Sequence, residues 1–180
     1  MIDFLSSKLG LLVAGMLMLG MIGGLVNVIQ EAGEQKAYDR VADDLASTLS
    51  NVASTPGEMT VKLVFERDMS QNLGIHFPQY ISGSAYVIHL YTDTVILYDT
   101  DGNARAMANI AGAMHGWDEC SSSSSVGLSS SDVEACDAAV PWVFSSTEDP
   151  LFLDLTNKKY IVDSEEILLT FLHAGEPMEE

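Results

Sequence analysis

Three groups of residues carry the types and spacing that chemistry needs. Asp99-Thr100-Asp101-Gly102-Asn103 has the alternating oxygen donors with which a calcium loop begins, but its glycine comes early and no glutamate stands at the twelfth position. A hairpin turn is the expected reading. His115, Asp118 and Glu119 stand beside Cys120 and have metal-ligating types, yet no Cys-x-x-Cys pair exists and the four histidines are scattered, so a solvated loop is expected. Cys120 and Cys136 are the only cysteines, and they bracket a serine-rich excursion containing Ser121 to Ser125 and Ser129 to Ser131. Closing that loop by a disulfide removes about 3 kcal/mol of unfolded-state freedom from a segment with little apolar material, and implies an oxidising, extracytoplasmic location.

Beyond these the chain holds no P-loop, no Gly-x-Gly-x-x-Gly, no Gly-x-Ser-x-Gly and no His-Glu-x-x-His. His89 reads as a hydrogen-bonded structural histidine, and Trp117, Trp142 and the tyrosines as core or sheet-face residues rather than sugar platforms. No enzyme, no cofactor and no metal is expected.

The elements that position these residues divide the chain in two. From Leu9 to Val26 no side chain is charged or hydrogen-bonding. With Phe4, Leu5, Val28 and Ile29 the run reaches the roughly 30 Å of a bilayer core at about 1.5 Å per residue. After Gln30 acidic and basic residues appear, with Val41, Leu45, Leu49 and Val52 recurring three or four residues apart, the pattern of an amphipathic helix. No proline precedes Pro56, and Gly33 costs a helix only about 1 kcal/mol. Residues 1–54 are therefore expected to form one apolar-to-amphipathic helix, a membrane span or filament core of about 75 Å. Gly20 and Gly24, and likewise Gly10 and Ala14, form small-xxx-small pairs that permit close approach of a second helix. Val41, Leu45, Leu49 and Val52 are expected to face either the chain's own core or a neighbouring subunit.

Residues 55–180 form the second part, an acidic β-rich head. Thr55-Pro56-Gly57 ends the helix. Strands are expected over Thr60 to Phe65, Ala85 to Tyr91 paired with Thr94 to Tyr98, Ala104 to Ile110 and Pro141 to Phe144. Leu151 to Leu155 and Tyr160 to Val162 form a further hairpin across Asn157-Lys158, and Ile167 to Leu172 closes the sheet. The segment from Ile75 to Gly83 crosses between strands, and Glu176 to Glu180 is a frayed tail. About seven strands make an antiparallel β-sandwich or barrel-like head on a long helix, an α+β chain.

Eight Lys and Arg against 26 Asp and Glu give a net charge of −18, and residues 1 to 30 contribute only Asp3 and Lys8 to it. A surface of this kind repels phosphate backbones, which excludes nucleic acid as a partner, and it suits a saline or cation-rich exterior. Lys8 before the apolar run and Glu31 and Glu34 after it place the N-terminus inside. A cleaved secretory signal fits less well, because Asp3 precedes Lys8, the apolar core is overlong and Asn27 to Glu31 offers no cleavage site.

A short polar start, an apolar helix running straight into an amphipathic one and a β-rich head resemble the type IV pilin superfamily, especially archaeal pilins and archaellins. The stretch Phe77-Pro78-Gln79-Tyr80-Ile81-Ser82-Gly83-Ser84-Ala85-Tyr86-Val87-Ile88 also looks like the head of archaeal pilin-like proteins. Two features depart from the family: Lys8-Leu9-Gly10 only loosely approximates its leader-cleavage site near Gly10, and Leu11 to Leu19 holds no glutamate. The resemblance implies a structural subunit of an extracellular filament, a type IV pilus or archaellum, that assembles with copies of itself through its N-terminal helix. The alternative expectation is a permanently anchored accessory protein whose head binds an envelope or surface-layer partner.

Overall fold

The computed structural model describes residues 2–66, 74–116, 129–137, 140–147 and 151–175; the side chains of residues 2–14, 66, 151 and 174–175 lie outside that description. Helix α1 spans Ile2–Ala53. The chain divides into two compact units, Met1–Lys36 and Ala37–Glu180, so α1 contributes to both.

In the first unit every described side chain from residue 15 to residue 33 is exposed. The second unit is mostly β. Its strands are β1 (Met59–Glu66), β2 (Ile75–Pro78), β3 (Tyr80–Ile81), β4 (Ser84–Leu90), β5 (Thr94–Asp99), β6 (Ala104–Asn109), β7 (Met114–Gly116), β8 (Trp142–Ser145), β9 (Leu151–Val162) and β10 (Glu165–Gly175), with a short helix α2 (Ser130–Cys136) between β7 and β8. The first sheet runs β2-β1-β9-β10-β7 and the second β3-β4-β5-β6, with β8 also paired to β4. Pairing is antiparallel except for β1 with β2 and β10 with β7, which are parallel.

The α1 segment from Ala37 onward is a stave of the head. Tyr38, Ala42, Leu45, Ala46, Leu49 and Val52 are buried, and their spacing of three and four residues puts them on one stripe. One core cluster joins that stripe to Leu63, Phe65, Leu153 and Leu155 of the first sheet and to Ile88, Leu90, Val95 and Leu97 of the second. A smaller cluster of Tyr160, Val162, Leu169, Phe171 and Cys136 lies on the other face of the β9–β10 hairpin, with Val133 of α2 packed against it. Close approach of β7 to the end of α2 requires Gly116, since a Cβ there would stand 2.7 Å from the Cys136 carbonyl oxygen.

Three expectations are corrected. Asn157-Lys158 is not a turn, because β9 continues unbroken through it. Asn157 is fully buried, and its side-chain amide donates to the carbonyls of Val52 (3.1 Å) and Thr55 (2.9 Å) at the C-terminal end of α1. Carbonyls left unpaired at a helix end need such donors, and a strand side chain supplies them here. The hairpin turns instead at Asp163-Ser164, both with positive φ (49° and 76°), the backbone of a tight two-residue connection. The Ile75 to Gly83 crossing contains two short strands, β2 and β3, the second joined to β4 through Ser82-Gly83, again with positive φ (52° and 85°). The serine tract, expected as loop, includes α2, started by a capping box in which the Ser129 hydroxyl and the Asp132 carboxylate each bond the other's backbone N–H.

Asn157→Leu is expected to destabilise the head by about 1–3 kcal/mol, because it strips buried carbonyls of their donors while keeping volume. A thermal melt of the full chain in detergent, followed by near-ultraviolet circular dichroism, checks this; an unchanged midpoint would show that the cap contributes nothing.

Candidate functional site

The residues picked out for chemistry resolve into structural roles or lie outside the described chain. Asp99 accepts hydrogen bonds from the backbone N–H of Asp101 (3.0 Å) and Asn103 (2.8 Å) and from the Asn103 side chain (3.2 Å), and pairs with Arg105 at 3.5 Å. Those donors, Asn103 first, hold its carboxyl below the usual aspartate range. Its oxygens face the chain's own N–H groups, so the turn is self-satisfied. His115 is buried, with Nδ1 3.1 Å from an Asp137 carboxylate oxygen, while Asp118 and Glu119 are outside the described residues. No group of three His, Cys, Asp or Glu capable of holding a metal occurs among the described residues. His89 lies against Tyr98, ring centroids 4.3 Å apart.

Cys136 is buried and disulfide-bonded; the chain's one other cysteine, Cys120, lies outside the described residues, as does Trp117. Trp142 packs against the main core.

What remains is surface. In the first unit Met16, Leu17, Met18, Leu19, Met21 and Ile22 are each 59–73 % exposed. The apolar side chains occupy every side of the helix rather than one stripe, as on a helix whose solvent is lipid or other helices. This is the one helix, among the described residues, long and apolar enough to span a membrane. Gly20 and Gly24 lie on it with open space where a Cβ would stand. Gly10 and Ala14 fall in the earlier part of α1, where side chains are not described.

The other four proposed helix-packing residues sort differently. Leu45 and Leu49 are fully buried and Val52 is 4 % exposed, all inside the chain's own core. They cannot pack against a neighbouring subunit without unfolding the head, so the first of their two expected roles is the one they fill. Val41 is partly exposed and borders a groove of about 580 Å³ between α1 and β2–β3, lined also by Ala37, Arg40, Asp44, Ile75 and Tyr80.

Sequence reading missed the tie between helix and hairpin at this end of the head. The Arg105 guanidinium sits 5.2 Å from the Tyr38 ring centroid while bridging to Asp99. Tyr38 in turn meets Tyr86 edge-on at 6.4 Å, and burial pushes the Tyr86 hydroxyl well above the ordinary tyrosine range. Spacing alone gives no signal for the Arg105 contact with Tyr38, which is set by the register of β5 and β6.

Since Asp99 titrates below its unfolded value, its contribution to the hairpin is complete above about pH 3.9 and is lost as pH falls through the folded value. Asn103→Ala, which removes the side-chain donor and keeps the backbone N–H, is expected to raise the Asp99 midpoint part of the way toward that of a free aspartate, read by carboxyl-carbon NMR titration; an unmoved midpoint would remove the Asn103 side chain as a cause. Comparison of the chain with protein-family models, with curated proteins and with solved structures gives no match in any of the three.

Proposed function

We propose that this chain is a structural, pilin-like subunit, anchored or assembled through the apolar part of α1 and presenting the acidic head outside the cell. The observation that carries the reading is the change of environment within one helix: residues 15–33 are exposed and those from 15 to 26 are apolar on all sides, while the stripe from Tyr38 to Val52 is core of the head. Such an apolar surface is stable in lipid, and outside lipid it is stable only against copies of itself, which gives polymerisation a large apolar driving force. Gly20 and Gly24 supply the place where a neighbouring helix can come close. The disulfide of Cys136 supports an oxidising location for the head, in keeping with Lys8 inside and Glu31 and Glu34 outside. The reading assigns the chain no catalytic role.

A second reading, a permanently anchored accessory protein that binds an envelope or surface-layer partner, draws on the lack of any glutamate in Leu11 to Leu19 and the loose fit of Lys8-Leu9-Gly10 to a leader site. Both make release from the membrane harder.

Shearing cells and recovering the medium separates the two. Sheared filaments containing this chain, with an N-terminus near Gly10 by mass spectrometry, are the expected result; full-length chain extracted only by detergent would favour the second reading. The double substitution Gly20→Leu with Gly24→Leu is expected to lower the assembled fraction roughly tenfold, the effect of about 1.4 kcal/mol per contact, while leaving membrane insertion intact. Wild-type assembly by that variant would remove these glycines from the interface.

A further inference from the structure

The second sheet turns an uncharged face outward. Strands β4, β5, β6 and β8 contain only two charged residues, Asp99 and Arg105, and these are paired with each other at the end of the β5–β6 hairpin. Register sets one row across all four strands: Val143 opposite His89, His89 opposite Ile96, Ile96 opposite Met107. Val87 and Tyr98 stand opposite each other in the next row, and the Tyr98 ring leans on His89. Their neighbours Ile88, Leu90, Val95 and Leu97 point into the core, so the row is on the outer side. Met107 is 67 % and Val143 54 % exposed, at the two ends of the row. The first sheet is built otherwise: β1, β9 and β10 carry Lys62, Asp154, Lys158, Lys159, Glu165 and Glu166, with Lys62 paired to Asp154 and Lys159 to Glu166.

We propose that the outer face of the second sheet, centred on the Val143–His89–Ile96–Met107 row, is where the head meets the head of a second copy of this chain. The argument is one of charge. A basic partner would be drawn to the acidic surfaces and would gain nothing from a neutral face, whereas an acidic partner meets neither repulsion nor ions to desolvate at a face without charges. A second copy is acidic by the same −18. An apolar row left open on a sheet is also the kind of surface that a partner covers. The proposal rests on the self-assembling reading above, and it names the head surface that such assembly uses.

A benzophenone amino acid at position 107 of the full chain, irradiated in cells that export it, tests this. The expected product is an adduct at about twice the 19.4 kDa of the chain, identified by mass spectrometry as two copies, with none when the probe is at Thr60 on the first sheet. With the probe at position 107, Val143→Glu is expected to lower the adduct by at least about tenfold, as a like charge facing an acidic partner should. Val143→Thr, which adds no charge, should retain it. No adduct at position 107, or one whose partner is a different protein or a glycan, overturns the proposal. Shear fractionation of the same cells keeps the two readings apart: filaments without the adduct refute the head contact alone, and the adduct without filaments refutes the filament alone.

Discussion

Both sheets close on one surface, the stripe of α1 that runs from Tyr38 through Ala42, Leu45 and Leu49 to Val52. Among the described residues neither sheet has another apolar helix of that length to cover it, since α2 packs with the cluster on the far face of the β9–β10 hairpin. Leu45 and Leu49 are wholly inside, where truncation of a leucine to alanine costs about 2–5 kcal/mol. The head is thus folded around the later part of a helix whose earlier part, from Leu9 to Val26, carries no charged or hydrogen-bonding side chain. The same helix supplies the core stripe of the head and the stretch that, among the described residues, is long and apolar enough to span a membrane.

The polar contacts around the stripe follow from that arrangement. A helix ending inside a β head leaves its last carbonyls among side chains rather than in water. Asn157 answers those of Val52 and Thr55, and the Thr170 hydroxyl donates to the Asn157 side-chain oxygen Oδ1 at 3.4 Å, so the cap is held from the next strand. Ser50 does similar service one turn earlier, accepting from the Ala111 N–H at 2.8 Å and so fixing the loop after β6 to the helix. On the opposite side Ser146 ties β8 to the β2–β4 corner by accepting from Tyr86 N–H and donating to the Gln79 carbonyl. Asn157 and Ser146 thereby satisfy backbone groups that burial would otherwise leave unpaired, while the Ser50–Ala111 bond is exposed.

What was legible in the sequence is what local pattern determines. The helix bounds, β1, the β4–β5 hairpin and β6 could be read because apolar spacing and turn residues there agree with the tertiary structure. Asn157-Lys158 misled for a physical reason: asparagine favours turns through its side-chain hydrogen bonds, and here the same capacity is spent on a helix more than a hundred residues away in sequence. The true turn, Asp163-Ser164, holds no glycine to mark it. The parallel pairings of β2 and β7 depend on crossings that no two-residue alternation encodes. Helix α2 was signalled by Ser129 and Asp132 three residues apart, but the surrounding serines masked it. For the site the limit was similar: α1's apolar surface could be read directly, whereas the assignment of Leu45, Leu49 and Val52 to the inside needed the sheets in place.

Charge then decides which surfaces of the head can approach anything. Eight cations cannot balance 26 acids, and among the described residues Arg40, Lys62, Arg105 and Lys159 are already in ion pairs. The exposed ones, Arg40–Asp44 and Lys159–Glu166, contribute little to stability. Their greater effect is to lower local charge where strands β1, β9 and β10 would otherwise crowd acids together. The second sheet reaches low charge by a different route, omitting charged residues from its strands apart from the Asp99–Arg105 pair. A paired surface still has to shed water from its ions before it can be covered, and an uncharged one does not. The two sheets are therefore unequal as contact surfaces although both are thin in net charge, and the second is the one that a like-charged neighbour can cover at the lower desolvation cost.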